Sequence, residues 1–128
     1  MNMNRLKKVT LVIGIISILF IALYFFAKYF ADEQIKSKLN NDSISISQND
    51  KTIVTFKLKD IEHVALYSKE EANKDFTQGC IEITSSFNPS NLAIKIYLKG
   101  QNPIILNYSS SSKTTGTYNY LSSLTKNL

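Results

Sequence analysis

General-base catalysis and charge relay draw most often on a histidine oriented by a carboxylate. This chain of 128 residues has one histidine, His63. Its neighbour Glu62 would point to the opposite face of a strand, because successive strand side chains alternate. No nucleophile motif accompanies the pair, so His63 reads as a strand-surface residue. Cys80 is the single cysteine, which excludes an intramolecular disulfide and a four-cysteine zinc site. Beside Ile81 and Ile83 it reads as a small core residue. A reactive thiol would need a cation or a helix N-terminus next to it, and the sequence identifies neither.

A metal site would therefore rest on carboxylates. Glu70, Glu71 and Asp75 are the nearest group, but they lack the spacing and the glycine of a calcium loop. They read as part of a solvated loop. The run from Ser109 to Gly116, SSSSKTTG, imitates a phosphate loop. The true motif, G-x-x-x-x-G-K-[ST], needs a glycine ahead of the lysine so that backbone amides can cradle phosphate, and none precedes Lys113 here. A helix starting at this point would still present free amides to an anion. That leaves Lys113 and Thr114 as a candidate anion site, beside the plainer reading of a loop and a helix cap. Asn41-Asp42-Ser43 and Asn107-Tyr108-Ser109 fit the glycosylation sequon, a pattern common by chance in an Asn- and Ser-rich chain. These residues imply no cofactor, no metal and no enzymatic activity.

The elements that carry them begin with a hydrophobic helix. Val9 to Ala27 (VTLVIGIISILFIALYFFA) is free of charge over 19 positions, and its only polar members are Thr10, Ser17 and Tyr24. At ~1.5 Å per residue such a helix spans about 28 Å, close to the ~30 Å hydrocarbon core of a bilayer. The sequence predicts a single-pass anchor in contact with lipid, through Val9, Leu11, Ile13, Ile16, Leu19, Phe20, Leu23 and Phe26. Tyr24, Tyr29 and the phenylalanines at 25, 26 and 30 gather at one end, as an interfacial aromatic belt would. A cleaved signal peptide usually has a shorter apolar core and a small-x-small site. The nearest sites here, Phe25-Phe26-Ala27 and Tyr29-Phe30-Ala31, carry an aromatic residue three before the cut. Arg5, Lys7 and Lys8 precede the span, and Lys28, Lys36 and Lys38 follow it. With the α-amino group added, the balance favours the N-terminus inside the cell and the C-terminal domain outside.

The net charge of +5 invites a nucleic-acid reading, and its distribution argues against one. Residues 1–31 hold four basic residues and no acid, whereas residues 32–128 hold 11 lysines against 10 acids. The excess flanks the hydrophobic segment. The only arginine is Arg5, and recognition of phosphates and base edges leans on the arginine fork.

After the anchor, Ala31 to Leu39 (ADEQIKSKL) is rich in helix formers and predicts a short helical stalk. Asn40, Asn41 and Asp42 then break it. From Ser43 the period changes to two. Strands are expected over 43–48, 52–58, 61–67, 80–85, 92–98 and 103–108, with a charged loop over 69–75. Leu92–Leu98 (LAIKIYL) is the cleanest, with Leu92, Ile94, Ile96 and Leu98 on one face. Ser112 can cap a final helix of about 14 residues, on which Tyr118, Leu121, Leu124 and Leu128 form one apolar stripe. The chain thus divides into a basic tail (1–8), an anchor (9–30), a stalk (31–42) and a β-rich α+β domain (43–128). In that domain an antiparallel sheet of six to seven strands, curled or half-closed, is capped by a helix.

Three stretches carry a resemblance to the bacterial pleckstrin-homology-like (PH-like) domains of small membrane proteins. Ile53 to Val64 (IVTFKLKDIEHV) is similar to their second and third strands, with Asp60 and Ile61 at the step between. Gly79 to Ile83 (GCIEI) resembles a glycine before a strand. Pro103 to Leu121 resembles their last strand, Ser-rich turn and helix, with Asn107, Thr114, Tyr118 and Leu121 in place. The resemblance spans about two thirds of the chain and implies a non-catalytic binding module for a protein or peptide. It does not extend to phosphoinositide binding, for the first strands offer only Lys51 and Lys57. An alternative from the same families is a bacteriocin-immunity or envelope-stress accessory acting at the membrane.

Overall fold

The structure is a computed structural model and describes residues 3–68 and 79–126. Helix α1 runs Met3–Glu33. Its two mid-span hydroxyls are satisfied within the helix: Thr10 Oγ1 donates to the Leu6 carbonyl (3.0 Å) and Ser17 Oγ to Ile13 (2.9 Å). Such back-bonding to the carbonyl four residues earlier satisfies each hydroxyl without a tertiary partner. The helix ends where Gln34 N donates back to Phe30 O and Ala31 O.

The next segment corrects the expected stalk. Ile35–Asn40 is strand β1, paired residue for residue with β2, Ser43–Gln48, from Ile35↔Gln48 to Asn40↔Ser43. Helix propensity loses here because a hairpin partner lies two residues beyond, and because pairing buries Ile35 to 2 % exposure. Asn41 turns the corner at φ 58°. Strand β3, Lys51–Lys57, follows a two-residue turn in which Asn49 and Asp50 both have positive φ. That is the backbone hairpins prefer, and Asn and Asp tolerate it.

A 3-10 turn, Leu58–Asp60, leads into β4, Ile61–Ser68. Then come β5 (Ile81–Thr84), β6 (Leu92–Leu98), β7 (Ile104–Asn107) and helix α2 (Ser111–Lys126). The charged loop expected at 69–75, with Glu70, Glu71 and Asp75, lies outside the described residues, as does Leu128.

The described residues form two open sheets and no closed barrel. One is the meander β1-β2-β3, the other has the order β4-β6-β7-β5. The expectation of a wholly antiparallel sheet fails at one pair, since β5 runs parallel to β7. The β6–β7 hairpin occupies the place beside β4, and β5 joins on its far side. Gln48 Nε2 ties the sheets together by donating to the Thr84 carbonyl (2.7 Å).

One core serves both sheets and α2. Ile44, Ile46 and Phe56 meet Ile83, Ile94, Ile96, Ile104, Leu106 and Leu121. The alternation read in LAIKIYL holds on the core side, where Ile94, Ile96 and Leu98 are buried; Ala93 and Lys95 on the other face are buried as well. Helix α2 packs over β4, β6 and the 3-10 turn through the stripe expected of it: Leu121 is buried, and Tyr118 and Leu124 pack partly buried on the core. Its cap is Ser110, not Ser112: Lys113 N donates to Ser110 Oγ (3.2 Å).

Candidate functional site

Among the described residues one helix is long and apolar enough to cross a membrane, Asn4–Glu33. Val9, Leu11, Ile13, Ile16, Leu19, Phe20, Leu23 and Phe26 are each 45–68 % exposed, so none of these eight side chains is buried against the domain. The last turns behave differently. Ala31 and Asp32 are buried at 3 % and 4 % exposure. The Asp32 carboxylate accepts a hydrogen bond from Ser109 N (2.7 Å), and Ser109 Oγ donates to the Lys28 carbonyl (3.3 Å). Lower on the helix, Asn88 Nδ2 donates to the Tyr24 hydroxyl (3.1 Å), and the Tyr24 ring meets Phe87 edge-on at 5.4 Å. Tyr24, Lys28 and Asp32 are four apart and so form one stripe. The domain grips α1 along that stripe through two loops, one after β5 and one after β7.

Two open surfaces adjoin the junction. The first is a groove of about 630 Å³ between β1 and α2, bordered by Ile35, Lys36, Ser37, Lys38, Lys113, Gly116, Thr117 and Tyr120. No described strand pairs with the outer edge of β1. Asn40↔Ser43 closes the hairpin, so the alternation of bonded and non-bonded pairs turns the backbone groups of Leu39, Ser37 and Ile35 toward that edge. Gly116 leaves the facing wall open, for an added Cβ would meet nothing within 4 Å. Tyr108 lies at the base, 1 % exposed, and burial pushes its phenol above the usual tyrosine range. The second surface is a cavity of about 480 Å³ beside the last turns of α1, bordered by Phe25, Lys28, Tyr29, Asp32, Glu33, Ser110, Ser112 and Lys113.

The candidate anion residues fall at this place but do not converge on a cradle. Thr114 is fully buried and its hydroxyl donates to the Ser110 carbonyl (3.0 Å). Lys113 Nζ stands 3.6 Å from Glu33 Oε1, both side chains more than two-fifths exposed. Such an exposed pair contributes little to stability.

His63 lies far from these groups in the sheet. It is exposed on β4 and stacks on Tyr97, ring centres 4.2 Å apart. A pairing irregularity between Ile61 and His63 leaves Glu62 exposed as well. A groove of about 560 Å³ there is bordered by Lys59, Glu62, His63, Lys99 and Lys126. Cys80 is half-buried, not a full core residue. The nearby Tyr67 phenol is pushed well above its usual range, first by burial, then by the neighbouring Tyr97, Cys80 and Glu82. Among the described residues no group of three or more His, Cys, Asp or Glu could hold a metal ion. Of the two sequons, Asn107 is buried and Asn41 sits exposed at a turn.

Sequence reasoning missed the role of Asp32 and the edge of β1. The period-two pattern of Ile35-Lys-Ser-Lys-Leu39 was the available signal for β1. Nothing local distinguishes Asp32 from a solvated helix-end acid, because its partner is 77 residues away. No known family, curated protein or solved structure matches the chain.

Proposed function

We propose that this chain is a single-pass membrane protein whose domain, without catalysis of its own, binds a protein or peptide partner as an added strand along β1. The observation that carries the reading is the unpaired outer edge of β1 beside the open wall of α2. A sheet edge supplies main-chain affinity to any extended segment, and the flanking groove supplies selectivity. Lys36, Lys38 and Lys113 against Glu33 favour a segment of acidic character.

The anchor reading, as against a cleaved signal, draws on the junction. Cutting after Ala27 would remove Tyr24, which Asn88 and Phe87 contact, and cutting after Ala31 would also remove Lys28, whose carbonyl accepts from Ser109 Oγ. The basic residues before the span favour an extracytoplasmic domain at a cell membrane. The PH-like reading draws on the two sheets and the C-terminal helix over a shared core. The parallel β5–β7 pair lies outside the meander that this reading implies.

The test selects a displayed library of random heptapeptides on the full chain held in lipid nanodiscs, then repeats binding with Ser37→Pro. Proline removes the outward N–H and is tolerated on an edge. Enriched acidic peptides that bind wild type and lose at least about tenfold in affinity to the variant, one or two main-chain bonds' worth, support the proposal. Enriched peptides indifferent to Ser37→Pro, or no enrichment, would sink it.

A further inference from the structure

The cavity beside the last turns of α1 has a graded lining. Along one side of the helix come Phe25, then Lys28 and Tyr29, then Asp32 and Glu33. With ~1.5 Å of rise per residue, Lys28 stands about 4.5 Å beyond Phe25, and Glu33 about 7.5 Å beyond Lys28. From α2, Lys113 faces the same space and meets Glu33 at 3.6 Å. Apolar ring, cation, then anion is the order in which a phospholipid presents its glycerol and acyl region, its phosphate and its amine.

The level is also right. Lys28 is the first charge after 19 uncharged positions, so it marks the depth at which the lipid phosphates lie, and its flexible stem lets the ammonium reach them. Phe25 and Tyr29 are 61 % and 65 % exposed, which suits aromatic rings in the interfacial belt. The charges balance: Lys28 and Lys113 against Asp32 and Glu33. A site with net positive charge would draw anionic lipids without choosing among them; a balanced one suits a zwitterion.

We propose that this cavity holds the headgroup of a phospholipid bearing a primary amine, of the phosphoethanolamine class. Lys28 and Lys113 bind the phosphate, and Glu33 accepts hydrogen bonds from the ammonium. Asp32, committed to Ser109 N, contributes field and no direct contact. The exposed Lys113–Glu33 pair opens at small cost. The primary ammonium, with three donors, satisfies Glu33 better than a quaternary amine that has none. A lipid seated there ties the bilayer to both α1 and α2. The inference rests on α1 spanning the membrane.

The experiment reconstitutes the full chain into nanodiscs of phosphatidylcholine containing phosphatidylethanolamine or phosphatidylglycerol, then counts retained lipids by native mass spectrometry. The expected result is one retained phosphatidylethanolamine, with neither other lipid held to the same extent. Lys28→Gln is expected to weaken retention roughly tenfold, the loss of one charge-assisted contact, while Lys28→Arg keeps it. Glu33→Gln narrows the preference over phosphatidylglycerol. Equal retention of all three lipids, or retention unchanged in Lys28→Gln, overturns the site. A preference for phosphatidylglycerol overturns it too, and points to bulk charge. Displacement of the lipid by millimolar free phosphoethanolamine would assign the cavity to a soluble phosphoester instead. If the chain fails to enter nanodiscs at all, the anchor reading falls, and the lipid site with it; entry without preference overturns the site alone.

Discussion

Removing the Asp32 carboxylate is expected to weaken the whole domain, although the residue sits at the end of what reads in sequence as a membrane helix. The carboxylate is 4 % exposed and accepts from Ser109 N at 2.7 Å. A hydrogen bond to a charged partner is worth roughly 1.5–3 kcal/mol, and a buried donor left unpaired costs about 1–3 kcal/mol. These overlap, and relief of the carboxylate's own desolvation offsets part of them. Asp32→Ala should therefore cost about 2–3 kcal/mol, a large share of the ~5–15 kcal/mol that holds a domain folded. A folded unit of this size shifts ~4–8 °C per kcal/mol, so the melting temperature should fall by about 10–20 °C. Asp32→Asn keeps an acceptor oxygen and should lose about 1 kcal/mol. The assay is thermal unfolding of the full chain in detergent, followed by the strand signal in circular dichroism. If Asp32→Ala melts within about 0.5 kcal/mol of wild type, the usual range of a neutral surface change, the helix end does not belong to the domain. Residues 34–128 proving as stable alone as within the full chain would refute that union equally.

Leu121 is 1 % exposed in the shared core, so Leu121→Ala should cost roughly 2–5 kcal/mol, whereas Tyr120→Ala, at an exposed position, should cost far less; denaturant titration separates them. Stability should also fall in alkali. Burial raises the Tyr108 phenol above its unfolded value, so its contribution is fully present below about pH 10 and is lost as pH rises toward the folded value, because only the unfolded chain then releases the proton. The slope from one such group is at most about 1.4 kcal/mol per pH unit. Tyr67, partly buried, acts in the same direction. Tyr108→Phe should flatten the decline, and an unchanged curve would show that burial of this phenol is not its cause.

Much of the fold is legible in the period of the sequence. Ser43-Ile-Ser-Ile-Ser47 and Leu92–Leu98 alternate because one face of each meets the core, and both form strands at the expected bounds. The Tyr118, Leu121, Leu124 stripe works for the same reason. The errors come where the deciding contact is distant. Ala31–Leu39 has good helix propensity, and only pairing with β2 makes its second half a strand. Parallel pairing of β5 with β7 depends on where β6 and β7 lie, which four residues of β5 cannot encode. Ser110 and Ser112 are equivalent as caps on local chemistry, and packing of Thr114 into the core sets the helix start. The candidate site shows the same division. Lys113 was visible as a cation near a helix start, but its neighbour Glu33 lies 80 positions earlier.

The missing stalk alters how the surfaces can act. A flexible linker would let the domain sample many orientations and heights above the bilayer. Here the strand begins two residues after the helix ends, and Tyr24, Lys28 and Asp32 are held by loops of the domain. The lowest contact, at Tyr24, lies four residues below Lys28, about 6 Å deeper along the helix. Phe87 is carried to that depth with it. The domain is therefore held at a fixed rotation about the helix axis; with α1 as the proposed anchor, it would sit against the membrane interface. On the proposed anchor reading, the β1 edge, which starts at the junction, would open just above the headgroups. A partner reaching it by diffusion from the bulk would approach a surface half-shielded by the bilayer, whereas a partner tethered in the same membrane meets it at high effective concentration. On the proposed anchor and strand-addition readings, a membrane-bound partner with an extended juxtamembrane segment would be favoured over a freely soluble one.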